Sequence, residues 1–268
     1  MAKYVIEAEK EIEHICDWIK KYFVDNGPNS KAVIGMSGGK DSNIIAALLR
    51  KGLGPERVYG VIMPDGEMKD KHIAIEVCKD LGIKYEICDI HKAVEGIYDA
   101  IGKDYVNDTV KTNTPARIRM TTLYAIAANV GGRVVNTCNK SEDYIGWSTK
   151  YGDLAGDFSV LQDYPVRWVK EIGYCLVEQG IIGDKSWVDK IPDDGMCGQS
   201  DEDKFGFTYE TLDALLIDGI VPTYDVYSTI MKMHNNNAHK EAIRLPKPRV
   251  ETKHRYGDRY EEKEDFWF

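Results

Sequence analysis

Six consecutive residues, Ser37–Ser42, read Ser-Gly-Gly-Lys-Asp-Ser and bring two hydroxyls, a cation and a carboxylate together. Glycine tolerates positive φ and has no Cβ, so backbone N–H groups in such a string can turn toward an anion. An apolar run from Val33 precedes the string, and a helical spacing of apolar residues follows it to Leu49. The start of that helix would add unpaired N–H donors and a partial positive charge. The pattern predicts a phosphate-binding loop made of Gly35, Met36, Ser37, Gly38, Gly39, Lys40, Asp41 and Ser42.

This loop does not match the Walker A pattern, which needs Gly-Lys followed by Ser or Thr, with another glycine five residues earlier. Here Asp41 follows Lys40, and Ile34 occupies the earlier position. The string instead resembles the loop of the ATP pyrophosphatases, which bind pyrophosphate as a leaving group and activate a substrate oxygen with AMP. In that interpretation, Asp41 is a ligand for the magnesium ion that accompanies ATP. A glycine-rich turn without a ligand is the alternative.

The composition is that of a folded globular protein, with 43% hydrophobic residues in 268. The sequence has no apolar run of about eighteen residues, and its N-terminus is charged throughout. We therefore expect neither a membrane span nor a secretory signal, and a cytoplasmic location. The net charge of −9 argues against a general nucleic-acid binder, because such proteins need a basic surface.

The cysteines are scattered singly and include no Cys-x-x-Cys pair, which favours reduced thiols over a zinc site or a redox pair. They are Cys16, Cys78, Cys88, Cys138, Cys175 and Cys197.

The elements that must position the loop alternate between helical and strand-like patterns. Predicted strands at Arg57–Met63, Ile83–Ile90 and Arg133–Cys138 join the strand before the loop. Predicted helices cover residues 4–24, Lys69–Leu81, His91–Ile101 and Ala116–Val130, with a polar stretch to Thr114 before the last of these. This alternation predicts an α/β fold, a Rossmann-like doubly wound parallel sheet flanked by helices. Ligands bind such sheets at the carboxyl ends of the strands, where Ser37–Ser42, Pro64–Glu67 and Thr137–Glu142 fall.

The pattern of the second half of the chain predicts helices separated by lids, all within one domain spanning residues 1–268. Lid loops are expected near residues 148–158 and 192–206, and an irregular tail at 244–268. The predicted helices are Val166–Gln179, Tyr209–Leu216 and Thr223–Asn235.

Four further polar motifs follow the loop in a fixed order: Asn113–Met120, Asn136–Glu142, Thr149–Phe158 and Ala238–Lys240. Together with the loop, they resemble the ammonia-dependent NAD synthetases from about residue 10 to about residue 245, within the adenine nucleotide alpha-hydrolase-like fold. The resemblance implies ATP-dependent amidation of deamido-NAD (nicotinic acid adenine dinucleotide) with ammonia. NAD, AMP and pyrophosphate would form through an acyl-adenylate.

The same resemblance implies roles for individual residues. Thr137 would join the loop in binding ATP, and Asp41 and Glu142 would bind Mg²⁺. Arg119 could share the work of Arg117 or be a solvated cation. We assign no catalytic acid or base. The residues implied for deamido-NAD are Arg117, Lys150, Asp157, His239 and Lys240.

The sequence departs from the family pattern at three positions. Asn136 stands where glycine is usual, Val166 where a lysine often contacts ATP, and Asp193 where Ser or Thr is common. The neighbouring cations Arg167 and Lys170 are the candidates to replace the missing lysine.

The nitrogen source and the oligomeric state are also expectations from the resemblance. The sequence contains no upstream nitrilase-type glutaminase, so free ammonia or a separate partner should deliver nitrogen. The family's dinucleotide sites lie at a two-fold interface, which predicts a homodimer. Another ATP pyrophosphatase, such as a tRNA-modifying ligase, and a non-catalytic nucleotide sensor are the alternatives. The acidic balance and the missing cysteine pair weigh against the former.

Overall fold

The computed structural model describes residues 6–190, 200–241 and 245–250. Its centre is a five-stranded parallel sheet with the order β3-β2-β1-β4-β5. The chain adds β2 and β3 on one side of β1 and then returns to add β4 and β5 on the other side, so the order of strands reverses between β1 and β4. The strands are β1 (Lys31–Gly35), β2 (Val58–Ile62), β3 (Lys84–Ile87), β4 (Gly132–Asn136) and β5 (Phe158–Ser159).

Helices connect and cover these strands, and short 3₁₀ turns occur at Pro55–Arg57 and Lys103–Tyr105. The first six helices are α1 (Ala8–Asn26), α2 (Lys40–Leu53), α3 (Lys71–Asp80), α4 (His91–Ile101), α5 (Asp108–Val130) and α6 (Lys140–Ile145). The next six are α7 (Val166–Glu178), α8 (Ser186–Asp189), α9 (Asp201–Phe205), α10 (Tyr209–Asp218), α11 (Tyr224–Asn236) and α12 (Ala238–Glu241). None of these helices is long and apolar enough to cross a bilayer.

Successive residues of β1 face opposite layers, as the period of a strand requires. Val33 pairs with Tyr59 and Val134 in the sheet and packs with them in the α4 and α5 layer, together with Ala127. Ile34 faces the other layer, which contains α1, α2 and α7. Both faces of the central strands are therefore apolar and buried, which explains their continuous hydrophobic runs.

A smaller apolar cluster lies beside the sheet and joins α6, α9, α10 and α11. Its buried members include Ile145, Phe205, Leu212 and Ile230. The cluster holds α6 through Ile145, and α6 begins directly after the loop that follows β4.

The doubly wound parallel sheet predicted from the sequence is confirmed, with one clear correction to its helices. The chain from Asp108 is helical, whereas the composition predicts a polar stretch to Thr114. Asn107 caps the helix by accepting a hydrogen bond from the Val110 N–H at 3.0 Å. Pro115 is tolerated inside α5, so neither polarity nor proline marks its true beginning.

Two further differences concern the edge of the sheet and the lids. Within the predicted loop 148–158, Phe158 begins the short strand β5, whose Ser159 N–H donates to the Pro246 carbonyl at 3.0 Å. Residues 192–199 of the second predicted lid, 192–206, lie outside the described residues, as do residues 244 and 251–268 of the predicted tail. Within the remainder of that lid, α9 is helical.

Candidate nucleotide-binding site

The predicted phosphate loop connects β1 to α2, with Gly39 as the residue before the helix. Gly38 has φ +75°, and a Cβ at this position would lie 2.6 Å from the Asp70 carbonyl oxygen. A side chain is therefore excluded both by backbone conformation and by space. The hydroxyls of Ser37 and Ser42 lie 3.1 Å apart, and the Gly39 N–H donates to Ser37 Oγ at 3.1 Å. The loop thus collects hydroxyls and backbone donors at the start of a helix.

A cavity of about 1320 Å³ opens at the carboxyl ends of the strands, beside this loop. It brings together Thr137, which follows β4, and residues of α5, α6 and α12. The predicted site residues that line it are Gly35, Met36, Ser37, Asp41, Ser42, Thr137, Glu142 and Lys240. Of the other predicted site residues, Gly38, Gly39, Lys40, Arg117, Lys150, Asp157 and His239 do not line it.

The side chain of Lys40 does not face the cavity, although its position in the motif predicts a contact with phosphate. Its side chain is only 1% exposed, and its ammonium group contacts both carboxylate oxygens of Asp41 at 2.7 and 2.8 Å. The charge of Lys40 therefore compensates Asp41 directly rather than facing the cavity.

Asp41 and Glu142 converge from two different helix starts. A capping box begins α6, in which the Asn139 side chain accepts from the Glu142 N–H at 3.1 Å and Glu142 accepts from the Asn139 N–H at 3.2 Å. The Asn139 amide also donates to Asp41 at 3.4 Å. Asn139 thus links both carboxylates.

The electrostatics agree with the closeness of these two carboxylates. Desolvation first, and then the Asp41 charge, raise the pKa of Glu142 well above its ordinary value, while Lys40 opposes the rise. In the described part of the chain, no group of three or more His, Cys, Asp or Glu side chains is arranged to hold a metal. A divalent cation here would have two carboxylates as protein ligands, which suits magnesium completed by phosphate oxygens and water.

Three predicted substrate contacts form a connected row outside the cavity. Arg117 Nε donates to the Lys150 carbonyl at 3.2 Å, and Lys150 Nζ donates to the His239 carbonyl at 3.1 Å. Next to them, Tyr151 has a positive φ of 60° and is 60% exposed. The row ends at Lys240, which does face the cavity and donates to the carbonyl oxygens of residues 146 and 148. The structure thus brings four of the five predicted contacts together.

Asp157 is the exception. Its carboxylate accepts from the Val134 N–H at 2.8 Å and from the Tyr124 hydroxyl at 3.2 Å, and the Tyr22 hydroxyl donates to its carbonyl at 3.1 Å. Both carboxylate oxygens therefore have partners within the protein, at the junction of β4 and β5. Its role in nucleotide binding stays a prediction.

Arg119 lies inside the cavity, although the sequence left its role open. It follows Arg117 by two residues on α5, a rotation of about 200° around the helix, so the two guanidinium groups face different sides. Arg119 Nε donates to the Met63 carbonyl at 3.1 Å. Burial lowers the pKa of Arg119, and the nearby charges of Asp65 and Asp153 oppose that shift.

The structure shows the surroundings of Asn136, which departs from the family pattern, and of the candidates to replace the missing lysine at position 166. Asn136 is buried, donates to the Asp153 carbonyl at 2.9 Å and accepts from the Cys138 N–H at 3.0 Å, so it braces the chain after β4. Arg167 forms an ion pair with Asp218 at 2.7 Å and does not line the cavity. Lys170 does not line it either. Asp193 lies outside the described residues.

No individual role was predicted for Asp65, Asp70, Asp153 or Lys190, all of which line the cavity, although Asp65 and Asp153 lie within segments that the sequence pattern marked. Asp65 and Asp70 follow β2, and ligands bind at the carboxyl ends of such strands. Their position in the sequence could therefore have predicted that they line the site. Lys190 follows α8, which is remote from the loop in sequence, so its position could not have predicted that it lies at the site.

A glycine-rich phosphate loop at the switch point of a doubly wound parallel sheet, beside two convergent carboxylates, defines an α/β nucleotide-binding protein. The model of the NAD synthase family matches residues 11–254, and the chain belongs to that family.

Curated relatives agree with this family. The chain is 32% identical over 257 residues to the NH(3)-dependent NAD(+) synthetase of Alkaliphilus oremlandii, covering 90% of this chain and 98% of the relative. It is 38% identical over 213 residues to the corresponding protein of Pyrococcus furiosus, covering 78% and 77%.

Solved structures also match. An NMN synthetase from Francisella tularensis aligns with a TM-score of 0.81 at 31% identity, and an NH3-dependent NAD synthetase from Campylobacter jejuni aligns with 0.69 at 25% identity. Both alignments cover 90% of this chain and 98% of the neighbour.

Proposed function

We propose that this protein is an ammonia-dependent NAD synthetase, a ligase that forms a C–N bond by amidating deamido-NAD at the expense of ATP. Membership of the NAD synthase family, with the phosphate loop and the carboxylate pair facing one cavity, is the observation that carries the proposal. The products are NAD, AMP and pyrophosphate.

In the first step, a carboxylate oxygen of the nicotinate group attacks the α-phosphorus of ATP. A P–O bond forms, the bond to the β-phosphate bridge breaks, and pyrophosphate leaves with the electron pair. The backbone N–H groups of the loop and the hydroxyls of Ser37 and Ser42 would stabilise the leaving group. Magnesium bound by Asp41 and Glu142 would supply positive charge there. Burial first, and then the charge of Asp41, raise the pKa of Glu142, and a cation bound between the two carboxylates would offset both effects, which supports this assignment.

In the second step, the lone pair of ammonia attacks the acyl carbon of the adenylate. The bond from that carbon to AMP breaks, AMP takes the electron pair, and the new ammonium group loses a proton to become the amide. We assign no side chain as the base, because ammonia needs only to arrive neutral. The row of Arg117, Lys150, His239 and Lys240 would bind the substrate's phosphates, with the charges of Arg117, Lys150 and Lys240 attracting them.

We extend the proposal to a homodimer in the cytoplasm. Only Pro115 and Ala127 are buried among the 23 residues of α5. Nearby, Ile97, Ile101 and Tyr105 are 41%, 42% and 73% exposed. A second copy covering this face would bury these apolar groups. The cysteines in the described part of the chain are all free, which suits a reducing compartment.

A second substrate is favoured by a specific observation, namely that the TM-score with the NMN synthetase, 0.81, exceeds the 0.69 with the NAD synthetase. In this chain the Asp157 carboxylate is also occupied by protein donors rather than directed into the cavity. Both observations suit a mononucleotide substrate, nicotinic acid mononucleotide, which would be amidated by the same two steps to give NMN.

The test supplies purified protein with ATP, magnesium and either ammonium chloride or glutamine. Parallel reactions contain deamido-NAD or nicotinic acid mononucleotide, and products are separated by chromatography. NAD with equal AMP and pyrophosphate, from ammonium alone, establishes the main proposal. A higher kcat/KM for the mononucleotide would establish the second substrate. AMP release with RNA only would support a tRNA-modifying ligase, and absence of any turnover would support a nucleotide sensor.

A further inference from the structure

Lys190 lies directly after α8 and reaches back to the phosphate loop. Its ammonium group forms an ion pair with Asp70 and donates to the Gly38 carbonyl at 3.3 Å. The side chains of Lys190 and Asp70 are 17% and 15% exposed, and both residues line the cavity. A largely enclosed cation therefore lies beside the loop.

The other cations that the sequence suggested for binding the phosphates of ATP do not line the cavity beside the loop. Lys40 is paired with Asp41 and does not line the cavity, and Arg167 is paired with Asp218. Position 166, where the family pattern often has a lysine, is valine. The leaving pyrophosphate carries more negative charge than the neutral N–H groups of a loop can balance.

The contact between the loop and Asp70 is close. A Cβ at Gly38 would meet the Asp70 carbonyl oxygen at 2.6 Å, so the backbones of these two residues pack directly together. The Lys190–Asp70 pair lies against this contact and keeps the ammonium group at the loop. Lysine has a flexible four-carbon stem, so its ammonium group can change partners without movement of its backbone.

We propose that Lys190 is a pyrophosphate-binding residue of the amidation reaction, and that Asp70 holds it beside the loop until the phosphates of ATP arrive. The inference rests on the proposed function for its reaction, although binding of pyrophosphate itself requires no nicotinate substrate. Lys190 binds the β- and γ-phosphates, which become the leaving pyrophosphate, and makes no contact with AMP.

The experiment measures binding of pyrophosphate with magnesium, and separately of AMP, to the full chain by titration calorimetry. Lys190→Met removes the charge and keeps much of the side-chain length. Loss of a charge-assisted hydrogen bond should weaken pyrophosphate binding about 10-fold to 100-fold, with AMP binding unchanged. Lys185→Met is the matched control, because Lys185 is 66% exposed and does not line the cavity. Its pyrophosphate affinity should equal that of the wild type.

Asp70→Asn separates phosphate binding from bracing of the loop. If Lys190 binds pyrophosphate, this variant leaves the ammonium group unneutralised and pyrophosphate binding stays equal or becomes tighter. If Lys190 only braces the loop, Asp70→Asn weakens binding as Lys190→Met does, which overturns the proposal. Lys190→Arg should retain most of the affinity. Equal loss of AMP and pyrophosphate binding in Lys190→Met, or no loss of either, would also overturn it.

These outcomes are distinct from failure of the proposed function. A protein that binds pyrophosphate through Lys190 but forms no amide product keeps this assignment and loses the nicotinate substrate.

Discussion

The buried carboxylate of Asp213 accepts a hydrogen bond from Ser141, the residue immediately before Glu142. Its second oxygen accepts from the Arg167 N–H at 2.7 Å. One side chain of α10 therefore joins the starts of α6 and α7. Burial raises the pKa of Asp213 to about 6, and the hydrogen bonds from Ser141 and Arg167 oppose the rise.

This pKa predicts how stability depends on pH. The folded state holds a proton on Asp213 more tightly than the unfolded state, where the pKa is near 3.8. The contribution of Asp213 to the free energy of unfolding is therefore fully present below pH 4, and it is lost as the pH rises through about 6. The free energy of unfolding of the wild type minus that of Asp213→Asn should fall by up to about 3 kcal/mol across this window. Urea denaturation at a series of pH values measures it, and a difference independent of pH would contradict the assignment.

Asp41→Asn should abolish most turnover and also lower stability, so its kinetics are measured well below the temperature at which the variant unfolds. The variant removes one of the two carboxylates assigned to magnesium and leaves Lys40 without its ionic partner. We expect kcat to fall about 100-fold or more, with a higher magnesium concentration needed for half-maximal rate. Steady-state kinetics over a magnesium series tests this, with Asp25→Asn near the C-terminal end of α1 as the control, because Asp25 does not line the cavity. Near-normal product formation by Asp41→Asn would rule out the magnesium assignment.

Gly38→Ala and Gly82→Ala form a matched pair, because both glycines have positive φ. A Cβ at Gly82 would have no atom within 4 Å, whereas a Cβ at Gly38 would meet the Asp70 carbonyl oxygen at 2.6 Å. Gly82→Ala should cost about 1–2 kcal/mol of stability from backbone strain alone. Gly38→Ala should cost about 1–3 kcal/mol more, and should also weaken ATP binding. Denaturation and calorimetry of both variants test the comparison, and equal losses would show that space at Gly38 is not limiting.

Comparison of Asn139→Ala with Asn107→Ala distinguishes the effect of losing a helix cap from the effect of losing the contact with Asp41. Both asparagines cap helices, at α6 and α5, and each substitution should cost about 1 kcal/mol of stability. Asn139 also contacts Asp41 and the backbone of Glu142, so only its substitution should raise the magnesium concentration needed for activity. An equal effect of both variants on magnesium dependence would mean that Asn139 acts through stability alone.

Much of the fold was predictable because its signals are local. The apolar run into Ser37–Ser42 and the alternation of helix and strand periods are properties of neighbouring residues. They were enough to predict the parallel sheet and the edge at which the cavity lies. The beginning of α5 was not predictable in this way, because Asn107 and the packing around Pro115 outweigh the polar composition.

The site was predictable where motifs carried it and not where tertiary contacts did. Lys190 and Gly38 are 152 positions apart, and Ser141 and Asp213 are 72 apart, so no spacing rule connects them. Lys40 had the expected position in the motif but an unexpected partner, because burial beside Asp41 decides where its charge goes. Side-chain direction followed from packing, which the sequence pattern does not encode.

Four cations in or beside the cavity donate to main-chain oxygens. Arg117, Lys150 and Arg119 each donate to a backbone carbonyl, and so does Lys240. Every amino acid supplies a backbone carbonyl, so these contacts restrict the amino acid at the donor position and leave the acceptor position unrestricted. Over evolutionary time the acceptor positions are free to drift without a matching change in their partners. Pairwise covariation among relatives should therefore fail to detect these contacts, even where the donors themselves do not vary.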